Sequence, residues 1–293
     1  MRRSLLFMSG NNPSMMQNSD VFGSDAVIYD LEDAVSITEK DSARLLVKNF
    51  LENRATKTNQ EIVIRINGLD TDFYPLDLDY VVSDLIDTIM LPKASYEDVV
   101  KLDNILSQIE KNRNMKKHIG VIPIIELAKS VIEVEKIATG PRVNGILLGA
   151  EDLCSDLEVQ RTKLGEEILY PRAKVAIACK TCKIDAIDTP FTDINDPDGL
   201  ENDTLRAKGL GMNAKAAIHP KQIKTINKLF TPTEAQITWS LRVLKATENA
   251  RKQGLGVFSL DSKMIDKPII ERAEKVVKKA IQCGVLSEDA LND

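Results

Sequence analysis

Aromatic side chains are scarce in this sequence: Phe, Trp and Tyr make up 4% of its 293 residues. There are two histidines, His118 and His219, and four cysteines. So small a supply of soft ligands argues against structural zinc, which is held by clustered Cys and His. Cys179 and Cys182 form a C-x-x-C, but no second pair accompanies them, and helical packing of both thiols is the favoured reading. Four cysteines in a chain this long point to reduced thiols and a cytoplasmic setting. No apolar run approaches the roughly 18 residues of a membrane span. The start, MRRSLLFMSGNNPSMM, lacks a full-length apolar core and a small-residue cleavage site, so it is expected to form a first strand, not a signal peptide. An excess of one charge is missing too. The 39 basic and 44 acidic residues are interleaved for a net charge of −5, which argues against nucleic acid or a membrane surface as the main partner.

What is present in quantity is aliphatic: hydrophobic residues make up 43%, enough for a large core. Ile119 to Leu153 sets the pattern for the rest. It holds two short apolar runs, Val121–Ile125 and Gly145–Gly149, each leading into acid: Glu126 after the first, Glu151 and Asp152 after the second. Such runs read as buried parallel strands. The segment between, Leu127–Ala138, carries apolar residues at helical spacing. The same βαβ unit recurs, with strands expected at Ser4–Met8, Ala26–Tyr29, Glu61–Ile66, Thr88–Leu91, Ile119–Ile125, Gly145–Leu148, Ala186–Asp188 and Ala214–Ile218. Helices are expected at Ser42–Leu51, Tyr96–Glu110, Tyr170–Lys180, Asp203–Lys208 and Lys221–Leu229. Eight strands alternating with helices predict an α/β fold of the (β/α)8 TIM-barrel kind. A doubly wound open sheet is the alternative, but GNNPS after the first strand is not its G-x-G-x-x-G turn. The barrel is expected over residues 1–230. A C-terminal helical extension, 231–293, would cap it or reach a neighbouring subunit: a helix over Thr231–Lys252, a break at Gly254-Leu255-Gly256, an extended or hairpin segment over Val257–Asp266, and a closing helix over Lys267–Gln282.

Polar residues gather where these strands end. Strand two runs into Asp30, Glu32 and Asp33, strand three carries Arg65 before Asn67-Gly68, strand four ends at Pro92-Lys93, strand five at Glu126, strand six at Glu151-Asp152 and strand eight at His219-Pro220-Lys221. In a parallel barrel all of these meet at one rim, where ligands bind. Acids at strand ends also serve as helix N-caps, so no single one decides the matter. Together, several carboxylates without His or Cys, beside one or two cations, suit Mg²⁺ and an anionic substrate. Arg65, inside the alternating strand EIVIRI, needs a carboxylate partner such as Glu32 or Asp33, or an anionic ligand.

The pieces RRSLLFMSGNNP, DAVIYDLEDAV, RINGLDT, IMLPKA, PIIEL, LLGAEDL, AAIHPKQI and KMIDKP, spread nearly end to end, resemble the citrate lyase β subunits of the acyl-CoA lyase and aldolase family. One departure is Met8-Ser9, where relatives more often carry Pro before Gly; it touches no proposed catalytic group. The resemblance implies Mg²⁺ held by Glu126 and Asp152, Arg65 on the substrate at the reacting centre, and Glu32 and Asp33 supporting the metal's waters or Arg65. It also implies that Asp266 of KMID is offered to the active site by the tail of an adjacent subunit. The implied reaction is retro-Claisen cleavage of a citryl thioester to oxaloacetate and acetyl thioester. The thioester arm would be CoA-like and presented by an acyl-carrier subunit, in a cytoplasmic complex that includes an acyl-transferase subunit. A homo-oligomer is also expected. A related malyl-, citramalyl- or methylmalyl-CoA thioester is the alternative substrate. Lys93 as a Schiff-base lysine defines a class I aldolase reading, and a non-catalytic assembly subunit a further one.

Overall fold

The computed structural model describes residues 1–54, 59–252, 254 and 256–288. Eight parallel strands close into a barrel in sequence order: β1 (Ser4–Ser9), β2 (Ala26–Asp30), β3 (Glu61–Arg65), β4 (Thr88–Leu91), β5 (Gly120–Ile125), β6 (Gly145–Leu148), β7 (Asp185–Asp188) and β8 (Ala214–Ala217), which pairs back to β1. All eight fall where the sequence predicts strands, with ends shifted by a residue or so.

Side chains alternate along each strand, and the inward set fills the barrel. Leu5, Phe7, Ala26, Ile28, Val63, Met90, Ile122, Ile124, Leu147, Ile187, Ala214 and Ala216 pack into one cluster. Burying each larger aliphatic side chain contributes about 1.5–3 kcal/mol. Continuing the same period of two past this cluster brings Asp30, Arg65, Glu126, Gly149, Thr189 and Ile218 to the inside at the carboxyl end. Gly10 makes this close packing possible: its N–H bonds the Asp30 carbonyl at 2.8 Å, and a Cβ on it would lie 2.7 Å from that oxygen.

The amino end is closed by Arg2, whose side chain is 9% exposed. Its Nε and Nη2 donate to the two Glu61 oxygens at 2.6 and 2.7 Å. Nη1 donates to the Asn144 carbonyl and to Asp185, and Nη2 also to Asn144 Oδ1. Every nitrogen of this guanidinium has a protein acceptor.

The helices around the barrel are α1 (Pro13–Gln17), α2 (Lys40–Asn53), α3 (Tyr74–Val81), α4 (Tyr96–Asn112), α5 (Ala128–Ile132), α6 (Val134–Ala138), α7 (Ala150–Asp156), α8 (Leu169–Cys182), α9 (Pro197–Gly209) and α10 (Pro220–Phe230). Ser95 and Asp98 form a reciprocal capping box at the start of α4. The single helix expected over Leu127–Ala138 is instead two short ones joined at Glu133, so that Val131, Val134 and Ile137 are buried while Ile132 is 66% exposed. Three further helices were not expected, the first of them Pro13–Gln17, capped by the Asn12 side chain. Tyr74–Val81 is opened by Pro75 in its first turn, and Ala150–Asp156 begins directly at the end of strand six. Cys179 and Cys182 lie on α8 as free thiols, one buried and one half-buried.

The chain divides into two compact units, Arg2–Asn227, which holds the barrel, and Lys228–Asp293 together with Met1. The second contains α11 (Glu234–Lys252), an antiparallel hairpin of β9 (Phe258–Leu260) and β10 (Lys263–Ile265), and α12 (Lys267–Gln282). Its core joins Val243, Ile265 and Ala273 to Trp239, Leu244 and Phe258. Leu255, in the expected Gly-Leu-Gly break, lies outside the described residues. Among the described residues no helix is long and apolar enough to cross a membrane.

Candidate active site at the carboxyl end of the barrel

Asp30 and Arg65 are register partners on adjacent strands, and both point inward. Arg65 grips Asp30 with two parallel hydrogen bonds, Nε to Oδ1 at 2.7 Å and Nη2 to Oδ2 at 2.6 Å. The same carboxylate accepts the backbone N–H of Glu32 and of Ala34, fixing the turn that follows β2. The expected partners of Arg65 are therefore secondary: Glu32 Oε2 lies 2.8 Å from Nη1, and Asp33 only 3.8 Å away with a side chain 63% exposed. The guanidinium also sits 5.1 Å from the Phe7 ring centroid, a cation–π arrangement. Although burial opposes its charge, the Asp30 hydrogen bonds and the surrounding carboxylates raise the Arg65 pKa further.

Glu32 is held by its backbone. Lys40 Nζ, itself buried, donates to the Leu31 and Glu32 carbonyls at 2.7 Å each, and Asn67 Nδ2 donates to the Leu31 carbonyl at 3.0 Å. Burial pushes the Glu32 carboxyl up to about 7; the charges of Asp33 and Asp30 add to the shift, while Arg65 and Lys93 oppose it.

Glu126 follows β5 and is 4% exposed. Its Oε1 accepts the Lys93 backbone N–H at 2.6 Å. Lys93 has φ +49, a left-handed conformation that side-chain-bearing residues seldom adopt and that here accompanies an amide aimed into the site. Gly149 faces Glu126 from β6: a Cβ there would lie 2.6 Å from Oε2 and 2.7 Å from the Glu126 Cβ, so only glycine leaves the carboxylate room. Burial first, and then the charges of Glu32 and Asp152, push Glu126 up to about 8.

Asp152 is the third residue of α7. Among the described residues no hydrogen bond or ion pair reaches its carboxylate. It lines a cavity of ≈ 410 Å³ together with Phe7, Asp30, Asp33, Arg65 and Glu126. Glu151 also lines that cavity but turns toward Arg161, 3.7 Å away. The Lys93 ammonium is half-exposed, 3.8 Å from Glu32, and the facing carboxylates raise its pKa. A Schiff-base lysine needs the opposite shift, so the class I aldolase reading finds no support. His219 Nδ1 accepts the Lys221 backbone N–H in the turn after β8. Asp266 belongs to the second unit, where it caps α12 by accepting the Ile269 N–H at 3.3 Å.

Among the described residues no group of three His, Cys, Asp or Glu encloses an ion. Two carboxylates do converge on this cavity, Glu126, whose pKa is pushed up by burial and then by its neighbours' charge, and Asp152, which among the described residues has no hydrogen-bond or ion-pair partner. Such a pair fits Mg²⁺, which keeps several waters or substrate oxygens in its shell and takes one or two protein carboxylates. The residues whose importance the sequence did not reveal are Asp30, Gly149 and Thr189. All three extend the inward period of two beyond the apolar core, and that continuation is the signal that finds them.

The model of the HpcH/HpaI aldolase/citrate lyase family matches residues 3–220. The citrate lyase subunit beta of Leuconostoc mesenteroides subsp. cremoris is 39% identical over 285 residues, covering 96% of this chain and 93% of that protein. The L-malyl-CoA/beta-methylmalyl-CoA lyase of Rhodobacter capsulatus is 33% identical over 304 residues, covering 96% of this chain and 95% of its own. Among solved structures, the CitE protein of Mycobacterium tuberculosis in complex with magnesium, acetoacetate and coenzyme A aligns with a TM-score of 0.76 at 27% identity, over 94% of this chain and 97% of that one. The chain belongs to the HpcH/HpaI aldolase/citrate lyase family.

Proposed function

We propose that this protein is a Mg²⁺-dependent carbon–carbon lyase that cleaves a citryl thioester to oxaloacetate and an acetyl thioester. The observation that carries the reading is the meeting of Arg65, Glu126 and Asp152 on one cavity at the carboxyl end of the barrel. Similarity to citrate lyase β subunits, and to a protein solved with magnesium and coenzyme A, supplies the substrate class.

Glu126 and Asp152 would hold the cation. When bound, it lowers the pKa of the substrate hydroxyl and neutralises the adjacent carboxylate. Glu32 takes the hydroxyl proton, since a carboxyl poised at about 7 is matched to that task near neutral pH. The bond between the carbinol carbon and the methylene then breaks, the carbinol becomes the ketone of oxaloacetate, and the electron pair moves into the thioester carbonyl. Arg65 stabilises the resulting enolate oxygen. Its direction is fixed by Asp30, so it needs little reorganisation as charge develops. Asp33, at the mouth, would support the water of a bound cation. The enolate carbon takes its proton from Asp266, contributed by the tail of a neighbouring subunit in a homo-oligomer. The substrate arm would be CoA-like and carried by an acyl-carrier subunit, with an acyl-transferase subunit in the same cytoplasmic complex.

A panel of citryl-, malyl-, citramalyl- and methylmalyl-CoA, assayed for keto-acid release with Mg²⁺ and with EDTA, tests this reading. Citryl-CoA is expected to have the highest kcat/KM, and EDTA to abolish turnover. Turnover unaffected by EDTA, or none with any thioester, would refute it. The 33% identity to a malyl-CoA lyase makes a malyl-type thioester the second reading, and the same panel ranks it.

A further inference from the structure

Four charged side chains outside the cavity have no part in the chemistry above. Arg172 of α8, Asp188 of β7, Asp203 of α9 and Lys215 of β8 are all at most 1% exposed. Ile187, Ala214 and Ala216 point into the barrel, so Asp188 and Lys215 point out of it, toward the helices. Arg172 donates to Asp188 at 2.8 and 3.1 Å and to Asp203 at 2.6 Å; Lys215 Nζ donates to the same two acids at 2.5 and 2.6 Å. Two cations and two anions balance, so the group persists in the dry wall only as a set.

Lys215 Nζ makes one more bond, to the Thr189 carbonyl at 2.7 Å. Thr189 is the residue after β7. Its backbone is tied to this buried group and its side chain turns inward to line the cavity. Thr189 Oγ1 accepts the backbone N–H of Ala150 at 3.2 Å, and Ala150 is the first residue of α7, two before Asp152. No other hydrogen bond from the described residues ties that amide down. Among the described residues the Asp152 carboxylate has no hydrogen-bond or ion-pair partner, so its place is set by the way α7 is seated.

We propose that Thr189 is a positioning residue for Asp152: its hydroxyl anchors the first turn of α7 and thereby sets the affinity of the site for a divalent cation. The inference rests on the reading of Asp152 as a metal ligand. Outer groups that orient a ligand commonly change metal affinity by about 10- to 100-fold.

The test is Mn²⁺ binding to the full-length protein without substrate, followed by electron paramagnetic resonance, alongside thermal melting. Thr189→Val keeps the branched shape and the charged group and replaces the hydroxyl with a methyl, so the Ala150 amide loses its acceptor; it is expected to weaken Mn²⁺ binding about tenfold. Thr189→Ser, which keeps the hydroxyl, is expected to bind as the parent does. A valine variant that melts lower but binds Mn²⁺ with parental affinity would assign Thr189 to stability alone and overturn the proposal. Equal weakening in both variants would assign the effect to packing and overturn it as well. Asp152→Asn separates the two readings: parental Mn²⁺ affinity in that variant would refute Asp152 as a ligand whatever the Thr189 variants do.

Discussion

At the amino end of the barrel Arg2 meets Glu61, Asp185 and Asn144, and each of its nitrogens is used. At the carboxyl end Arg65 meets Asp30 and Glu32, but Glu126 and Asp152 stand beside them, with Lys93 facing the group and Lys40 behind Glu32 as further cations. The same kinds of side chain, on opposite ends of the same strands, therefore do different things. The lower group closes on itself and has no use for a ligand. The upper one buries its carboxylates and sets them side by side, and burial first, then like charge, pushes Glu32 and Glu126 up to about 7 and about 8. Buried like charges tolerated in this way are a feature of sites that bind a cation or move a proton. The lesson is to ask of a polar cluster what remains unpaired, not how many charges it contains.

The contrast is broken most forcefully by exchanging the consequences of mutation. Arg65→Ala is expected to lower kcat by about 10²–10³-fold, the loss seen when a fixed donor to a developing oxyanion is removed. Glu126→Ala and Asp152→Ala should each reduce turnover by at least about 10²-fold, with Mg²⁺ in excess. Arg2→Ala should instead cost about 3–5 kcal/mol of stability, because Glu61 and Asp185 are left without their cation. Its kcat per folded molecule should stay at the parental value. Urea unfolding and steady-state kinetics on the four proteins check this, and a catalytically dead but stable Arg2 variant would break the comparison.

A second experiment asks where Asp266 acts. Arg65→Ala and Asp266→Ala proteins, each inactive alone, should recover about a quarter of parental activity when co-refolded at equal ratio, as expected if each active site joins two chains at random. No recovery would place both residues in one chain or remove Asp266 from the chemistry.

The pH dependence is smaller but its sign is definite. Glu32 and Glu126 have folded pKa values above the unfolded 4.5, so protonation favours the folded state. Their stabilising contribution is full below about pH 4.5 and is lost as pH rises through about 7 and about 8. Without metal, the urea midpoint should therefore fall between pH 5.5 and 8.5 relative to a Glu32→Gln/Glu126→Gln protein. Mg²⁺ affinity should rise over the same interval, with protons released on binding. The smallest effect belongs to Asp33, exposed and 3.8 Å from Arg65. Asp33→Asn should change stability by less than about 0.5 kcal/mol, and a larger change would show the rim to be tighter than its exposure indicates.

Most of the barrel was legible in the sequence because parallel strands buried on both faces write continuous aliphatic runs, and all eight runs are strands. The short helices were harder to read. Ala150–Asp156 is seven residues long, and its acids look the same whether they end a strand or open a helix. The bend at Glu133 splits an apolar period that reads as one helix. Arg65, Glu126 and Asp152 were visible as polar interruptions at strand ends. Asp30 was passed over in favour of its neighbours Glu32 and Asp33, because a run of three acids does not say which one faces inward; strand register does. Lys215 was hidden for a related reason. In the run Ala-Lys-Ala-Ala its burial comes from Asp188 and Asp203, distant along the chain, and no local pattern announces them.

A carboxyl end that is short of positive charge and completed by a divalent cation makes a measurable demand on stability. Thermal melting of the parent and of Glu126→Gln, at pH 8 with and without Mg²⁺, tests it most directly. The glutamine protein is expected to melt higher than the parent when metal is absent, and Mg²⁺ is expected to raise the melting temperature of the parent alone. A glutamine protein that melts lower without metal and gains as much from Mg²⁺ as the parent does would contradict it.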